Sequence, residues 1–322
     1  MRNHAVATRA LRRTFARRRG MIDAVAGLDL EVEEGEIFGL LGPNGAGKTT
    51  TLRMLATLLA PTAGEAAVAG YDLRREPRRV RQQIGYVGQL GGANSSATGR
   101  AELEFQGRLY GLSRAAARQR AGEVLTTLGL AGCGDRPAET LSGGQRRRLD
   151  VGLGLVHQPR LLFLDEPTTG LDPQSRASLW DEIRRLRDGG TTVFLTTHYM
   201  DEANALCDRV AIMDGGRTVA EGTPEALKRE IGGDVVVIGV SFDAAAAGRL
   251  LAAQPFVREV DLTSATGGQI RLGVDSGETA LPAILRLLDA TGFTLETISL
   301  CRPSMDDVFL RRTGRSLLEA RA

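Results

Sequence analysis

IFGLLGPNGAGKTT, residues 37–50, decides how the rest of the chain is read. Its first five residues are apolar without alternation, as a strand buried on both faces requires. Beyond the loop, Leu52, Leu55 and Leu59 recur at helical spacing. Gly42, Gly45 and Gly47 therefore lie between a buried strand and a helix, where main-chain N–H groups can curl inward toward phosphate oxygens. Lys48 in such a loop reaches the β- and γ-phosphates, and the Thr49 hydroxyl can bind Mg²⁺. A glycine-rich turn alone explains neither the lysine nor the hydroxyl.

Moving outward, LDLEVE (28–33) alternates as a half-exposed strand and EEGE is its turn. RLLFLDEP (160–167) and TTVFLTTH (191–198) read as two more buried strands, separated by a helix with Leu179, Ile183 and Leu186 on one face. Strands alternating with helices predict an α/β fold with a mostly parallel sheet. Residues 90–158 carry a mostly helical pattern, read as a helical subdomain. VAIMDGGRTVAEG (210–222) has a hairpin signature around Asp214, Gly215 and Gly216.

The pattern changes near Ile231. VVVIGVSF, AAAAGRLLAA, VREVDLTS, QIRLGV, ETALPAILRLLDA and TLETISL predict strand, helix, strand, strand, helix and strand, a small α+β domain of ferredoxin-like order. SMDDVFLRRTG (304–314) adds a terminal helix. The expected division is 1–230 and 231–322.

The 41 basic and 39 acidic residues nearly cancel, so charge makes no broad case for nucleic acid or an anionic membrane. Arginines cluster at 12–19 and 74–81, but with Phe15 as their single aromatic they lack the series of interleaved aromatics that base stacking along a strand requires. They read as solvated faces, and no nucleic-acid partner is expected. Cys133, Cys207 and Cys301 are too few and scattered for a disulfide framework and are expected as buried small apolar residues. Arginines interrupt the N-terminal MRNHAVATRALRRTF, and no run of about 18 apolar residues occurs, so neither export nor a membrane span is expected.

Polar residues sit at the ends of the predicted parallel strands, where such sheets bind ligands. Asp165 is placed for Mg²⁺, and Glu166 beside it can orient or deprotonate a water, although paired acids there also serve as caps. His198 closes TTVFLTTH and Gln89 closes IGYVGQ; either is also compatible with a structural role. Phe15, after the strand-like ALRRT, could stack on a base or cover core. LSGGQ (141–145) opens a helix whose apolar face is Leu149, Leu153 and Val156. Its serine and glycines suit a helix cap, and equally a second anion site at the positive end of a helix.

In the order GPNGAGKT, Gln89, LSGGQ, LLFLDEP, GLDP and TTH, these motifs resemble the ATP-binding subunit of ABC transporters over residues 1 to about 230. TGRAEL, LSGGQRRRLD, TTHYMDEA and the C-terminal PSMDDVFL resemble, more narrowly, the daunorubicin-resistance type of exporter ATPase. The resemblance implies a P-loop ABC cassette with a parallel core, an antiparallel β subdomain and the helical subdomain. It implies an ATPase with ATP and Mg²⁺, acting in a head-to-tail dimer of two copies on the cytoplasmic face of the membrane, bound peripherally to separate permease subunits that export a drug, antibiotic or lipid.

The implied nucleotide contacts are Phe15, which stacks on adenine, then Gly42, Pro43, Asn44, Gly45, Ala46, Gly47, Lys48, Thr49, Thr50 and Gln89. Ser142, Gly143, Gly144 and Gln145 close over the nucleotide held by the other copy. Thr49, Gln89 and Asp165 attend Mg²⁺, while Glu166, His198, Lys48 and Gln89 are catalytic and Asp172 of GLDP lies at the dimer interface. No principal motif departs from the family pattern. The competing class, a soluble ABC ATPase acting on ribosomes or DNA, resembles tandem cassettes or long coiled-coil insertions; this chain has one cassette and no sustained heptads.

Overall fold

A computed structural model of the chain describes residues 4–17, 20–241, 243–261 and 269–314. Arg18 and Arg19 of the first arginine cluster, Phe242, and Leu262 to Ser264 of VREVDLTS lie outside the described residues. The chain divides between Pro224 and Glu225 into two compact units.

The first unit opens with long antiparallel strands β1 (His4–Arg17) and β2 (Gly20–Glu33), followed by β3 (Ile37–Leu41), α1 (Lys48–Leu55), β4 (Ala63–Val68), β5 (Tyr71–Asp72), α2 (Pro77–Gln83) and β6 (Ile84–Val87). Helices α3 (Gly99–Leu109), α4 (Arg114–Thr127) and α5 (Gly143–Leu155) form the expected helical stretch. Then come β7 (Leu161–Asp165), α6 (Pro173–Asp188), β8 (Thr192–Thr197), α7 (Met200–Leu206), β9 (Arg209–Asp214) and β10 (Arg217–Gly222).

A six-stranded sheet has the order β10-β9-β3-β8-β7-β6, parallel throughout except for the hairpin strand β10. A four-stranded antiparallel sheet, β2-β1-β4-β5, forms a separate layer. Register explains the core between them. Phe38 pairs with Phe194, and Phe194 with Phe163, so three rings line up across β3, β8 and β7 with centroids 5.3 and 5.6 Å apart. Val6, Leu28, Leu30 and Leu52 join the same buried cluster. Each such side chain stabilises the fold by about 1.5–3 kcal/mol on burial, which fixes the strand ends that carry the polar residues.

The second unit begins within α8 (Pro224–Ile231), so this helix belongs chiefly with the C-terminal unit rather than with the cassette. Strand β11 (Asp234–Val240), α9 (Ala244–Ala252), β12 (Val257–Asp261), β13 (Gln269–Val274), α10 (Gly277–Thr291) and β14 (Leu295–Cys301) come next, then α11 (Met305–Thr313). The antiparallel sheet order β12-β13-β11-β14 is the ferredoxin-like order. Val236, Ile238, Ile270 and Leu272 pack against Leu251 and Ile284 of the two helices.

Two expectations change. Cys133 and Cys207 are buried, but Cys301 is exposed at the end of β14, a strand with little covered surface. Phe15 lies inside β1, paired with Ile22, rather than beyond a strand, because β1 runs on to Arg17.

Candidate active site

The loop 42–47 is held by shape. Gly47, with φ 105°, caps α1, and a Cβ there would come within 2.3 Å of the Ala24 carbonyl oxygen. Only glycine satisfies both demands. Gly45 is also left-handed, at φ 83°. The loop thus delivers the N-terminus of α1, the positive end of the helix dipole, to a cavity of about 1160 Å³.

That cavity is lined by Phe15, Asn44, Gly45, Gly47, Lys48, Thr49, Thr50, Gln89, Glu166 and His198. Residues from β1, the loop, α1, and the ends of β6, β7 and β8 therefore meet, as the sequence predicts. Thr169, Ile22, Asp23, Ala24, Gly215 and Gly216 complete much of the wall. Gly42, Pro43 and Ala46 serve as loop scaffold: Lys48 Nζ donates to the carbonyls of Gly42 (2.8 Å) and Pro43 (3.0 Å), and Ala46 N donates to Pro43 O at 3.2 Å. The Arg13 guanidinium stacks 4.5 Å from the Phe15 ring centroid.

Glu166 is the hub. Its Oε1 is 3.5 Å from Lys48 Nζ; its Oε2 accepts from Gln89 Nε2 (3.1 Å) and Thr169 Oγ1 (3.2 Å) and lies 3.2 Å from His198 Nδ1. The His198 imidazole, followed by Lys48, holds its carboxyl at about 2, against burial acting the other way. The group is an anion under any ordinary condition. Its backbone has φ 46°, a costly left-handed geometry for a non-glycine residue, fixed by its N–H donating to Thr196 O and Oγ1, each at 3.1 Å.

Asp165 Oδ1 accepts from Thr49 Oγ1 at 2.9 Å and Thr196 Oγ1 at 2.7 Å. A carboxylate and a hydroxyl thus stand together as hard oxygen donors, a set that fits Mg²⁺, while the loop's N–H groups and Lys48 fit a polyphosphate. Sequence reasoning missed Thr169, Thr196 and Arg147, whose Nη2 donates to the carbonyls of Asp165 (3.0 Å) and Glu166 (3.4 Å); the hydroxyls are foreshadowed by TTH and PTTG at strand ends, whereas Arg147 hides in a run of arginines.

The remaining predicted residues are not in the cavity wall. Ser142 caps α5 in a reciprocal box with Gln145: Gln145 N donates to Ser142 Oγ (3.3 Å) and Ser142 N to Gln145 Oε1 (3.0 Å). Asp172 caps α6 by accepting from Ser175 N (2.9 Å) and Ser175 Oγ (2.7 Å), contacts that hold its carboxyl below the ordinary range. The two caps touch: a Cβ on Gly144 would lie 2.6 Å from Ser175 Oγ. Ser142, Gly143 and Asp172 are exposed.

A glycine loop, paired acids, a glutamine and a histidine on one edge of a parallel sheet define a P-loop nucleotide hydrolase, here with an antiparallel layer and a helical subdomain. The family description "ABC transporter" matches residues 25–169, and "ATP-binding protein DrrA1-3-like, C-terminal domain" matches 222–313. The chain is 44% identical to the daunorubicin resistance ATP-binding protein DrrA2 of Streptomyces coeruleorubidus, over 98% of this chain and 96% of that protein. It is 46% identical to the daunorubicin/doxorubicin resistance ATP-binding protein DrrA of Streptomyces peucetius, over 90% and 88%. A dimeric post-hydrolysis structure of an ATP-binding cassette bound to ADP and Pi superposes with TM-score 0.63 at 25% identity, covering 68% of this chain and 98% of that one. The chain belongs to the ABC transporter family, as one of its ATP-binding, ATP-hydrolysing subunits.

Proposed function

We propose that two copies of this chain pair head to tail around two ATP molecules and power export of a hydrophobic drug, antibiotic or lipid through separate membrane subunits. The observation that carries this reading is the convergence of Lys48, Gln89 and His198 on Glu166 in one cavity, with Ser142, Gly143 and Asp172 exposed outside it. A second copy brings those exposed residues to the open side of the cavity. Export of such compounds is inferred from the resistance named in the relatives.

In this reading the loop N–H groups and Lys48 bind the β- and γ-phosphates, and Phe15 stacks on adenine. Thr49 and Asp165 would hold Mg²⁺, joined by Gln89; the bound ion supplies positive charge to the phosphate oxygens. Glu166, ionised and rigidly seated, orients the attacking water and accepts its proton. His198 fixes the carboxylate that does so. Gln145 and the N-terminus of α5, with Ser142, Gly143 and Gly144, receive the γ-phosphate of the partner copy, and Asp172 lies at the joint.

Among the described residues no helix is long and apolar enough to cross a membrane. In this reading the subunit sits peripherally on the cytoplasmic face of a permease made by other chains. Leu90, next to Gln89 and almost fully exposed, with exposed Phe105 and Leu109 on α3, offers apolar surface for that partner. Reconstitution with the permease in vesicles tests the reading: drug transport that requires Mg·ATP and is lost in Glu166→Gln is expected, and transport unaffected by that substitution overturns it.

A further inference from the structure

In the run Arg146-Arg147-Arg148-Leu149-Asp150 on α5, two charged residues are buried: Arg147 is only 7% exposed and Asp150 6%. Three residues apart, they share one side of the helix. Arg147 spends its guanidinium on main-chain carbonyls: Nε donates to Pro167 O (2.7 Å), Nη1 to Gly88 O (2.7 Å), and Nη2 to Asp165 O (3.0 Å) and Glu166 O (3.4 Å). Asp150 Oδ1 accepts from Gly92 N (2.8 Å) and Ala93 N (3.1 Å).

These contacts bracket Gln89. Arg147 holds the Gly88 carbonyl just before it, and Asp150 holds the N–H groups three and four residues beyond it. Gly91 N donates to Gly88 O at 3.3 Å, closing the turn between the two grips. Gly91, at φ 74°, lies so close to Asp150 that a Cβ there would be 2.5 Å from Oδ2. The same arginine also fixes the carbonyl of Glu166, whose backbone is left-handed and whose Oε2 receives the Gln89 amide.

We propose that Arg147 and Asp150 are positioning residues for hydrolysis, acting as a two-sided clasp by which the helix bearing LSGGQ sets Gln89 against Glu166. The proposal rests on the reading of Gln89 and Glu166 as hydrolytic residues. The clasp makes the Gln89 loop ride with α5, so the copy that engages the partner's nucleotide through α5 also moves its own Gln89. A buried pair serving stability alone would have no reason to act through Gln89. Lysine cannot replace Arg147, because one ammonium lacks the fork that spans Gly88 and the end of β7.

The test measures Mg·ATP turnover and binding of a fluorescent ATP analogue by the full chain carrying Arg147→Lys, Asp150→Asn or Gly91→Ala, each alone and combined with Gln89→Ala. Gly91→Ala displaces the loop while leaving α5 intact, so it reports even where a substitution on α5 impairs folding. Each single variant is expected to lower kcat by about tenfold or more with KM within about twofold, the mark of an interaction made in the transition state. In the Gln89→Ala background, Asp150→Asn and Gly91→Ala are expected to cost less than about twofold further, because contacts acting through one side chain are non-additive. Equal losses in both backgrounds, or a raised KM with unchanged kcat, would overturn the clasp. A Gln89→Ala chain as active as the wild type would instead overturn the assignment of the site, and the clasp with it.

Discussion

Lys48 Nζ and Glu166 Oε1 stand 3.5 Å apart, both side chains almost wholly buried. One residue opens the helix after the glycine loop that follows β3; the other succeeds the end of buried strand β7, two places along the same sheet. The sheet thus brings the cation proposed to bind phosphate and the carboxylate proposed to activate water together, and Gly42 and Pro43 share the ammonium.

Removing that cation is expected to separate binding from scaffold. Lys48→Ala should lower turnover by roughly 100-fold or more, the scale for losing one preorganised charge-stabilising group, and weaken ATP binding. Turnover assays with equilibrium binding of a fluorescent ATP analogue check this; unchanged affinity and rate would remove Lys48 from the phosphate site.

The charge of Glu166 has a pH signature. Its carboxyl titrates at about 2 instead of the usual 4.5, chiefly because of His198 and then Lys48, with burial opposed. A depressed carboxyl contributes stability that is fully present above the unfolded value and is lost as pH falls through the folded one. The stability difference between the wild type and Glu166→Gln, from denaturant titrations, should therefore hold steady above pH 4.5 and narrow as pH drops toward about 2. A gap that widens on acidification would contradict the pairing.

Thr49 and Asp165 form the oxygen pair assigned to Mg²⁺. Asp165→Asn is expected to raise the Mg²⁺ concentration for half-maximal turnover by at least about tenfold, since an amide is a poorer ligand for a hard cation. Titrating MgCl₂ at saturating ATP measures it. An unchanged midpoint would move the metal elsewhere.

Ser142→Arg should leave ATP binding by the isolated chain intact and stop turnover, because Ser142 lies outside the cavity of its own chain. The lost cap costs only about 1 kcal/mol of helix stability. Loss of binding with the fold intact, judged by circular dichroism, would assign LSGGQ to its own loop.

The cavity is largely legible in the sequence because GPNGAGKT, LLFLDEP and TTVFLTTH each couple a buried strand to a polar end, and a parallel sheet aligns those ends. The ferredoxin-like order is legible for a similar reason: VVVIGVSF is an apolar run rich in valine, and QIRLGV alternates as a half-buried strand does. Strand β4, AGEAAV, is mostly small residues with little alternation and gives no such signal. Arg147 is invisible because a buried arginine paired with carbonyls has the same local sequence as a solvated one; only tertiary structure supplies its partners. The exposure of Cys301 depends equally on what fails to cover β14. LSGGQ stays poised between cap and anion site, and Ser142 does cap α5.

An ATP site completed by a second copy makes the nucleotide-bound state a dimer. Light scattering of the full-length Glu166→Gln chain, with and without Mg·ATP, reads this out. Blocked hydrolysis should leave the closed pair intact, giving twice the single-chain mass with nucleotide and the single-chain mass without it; the single-chain mass in both conditions would contradict the claim.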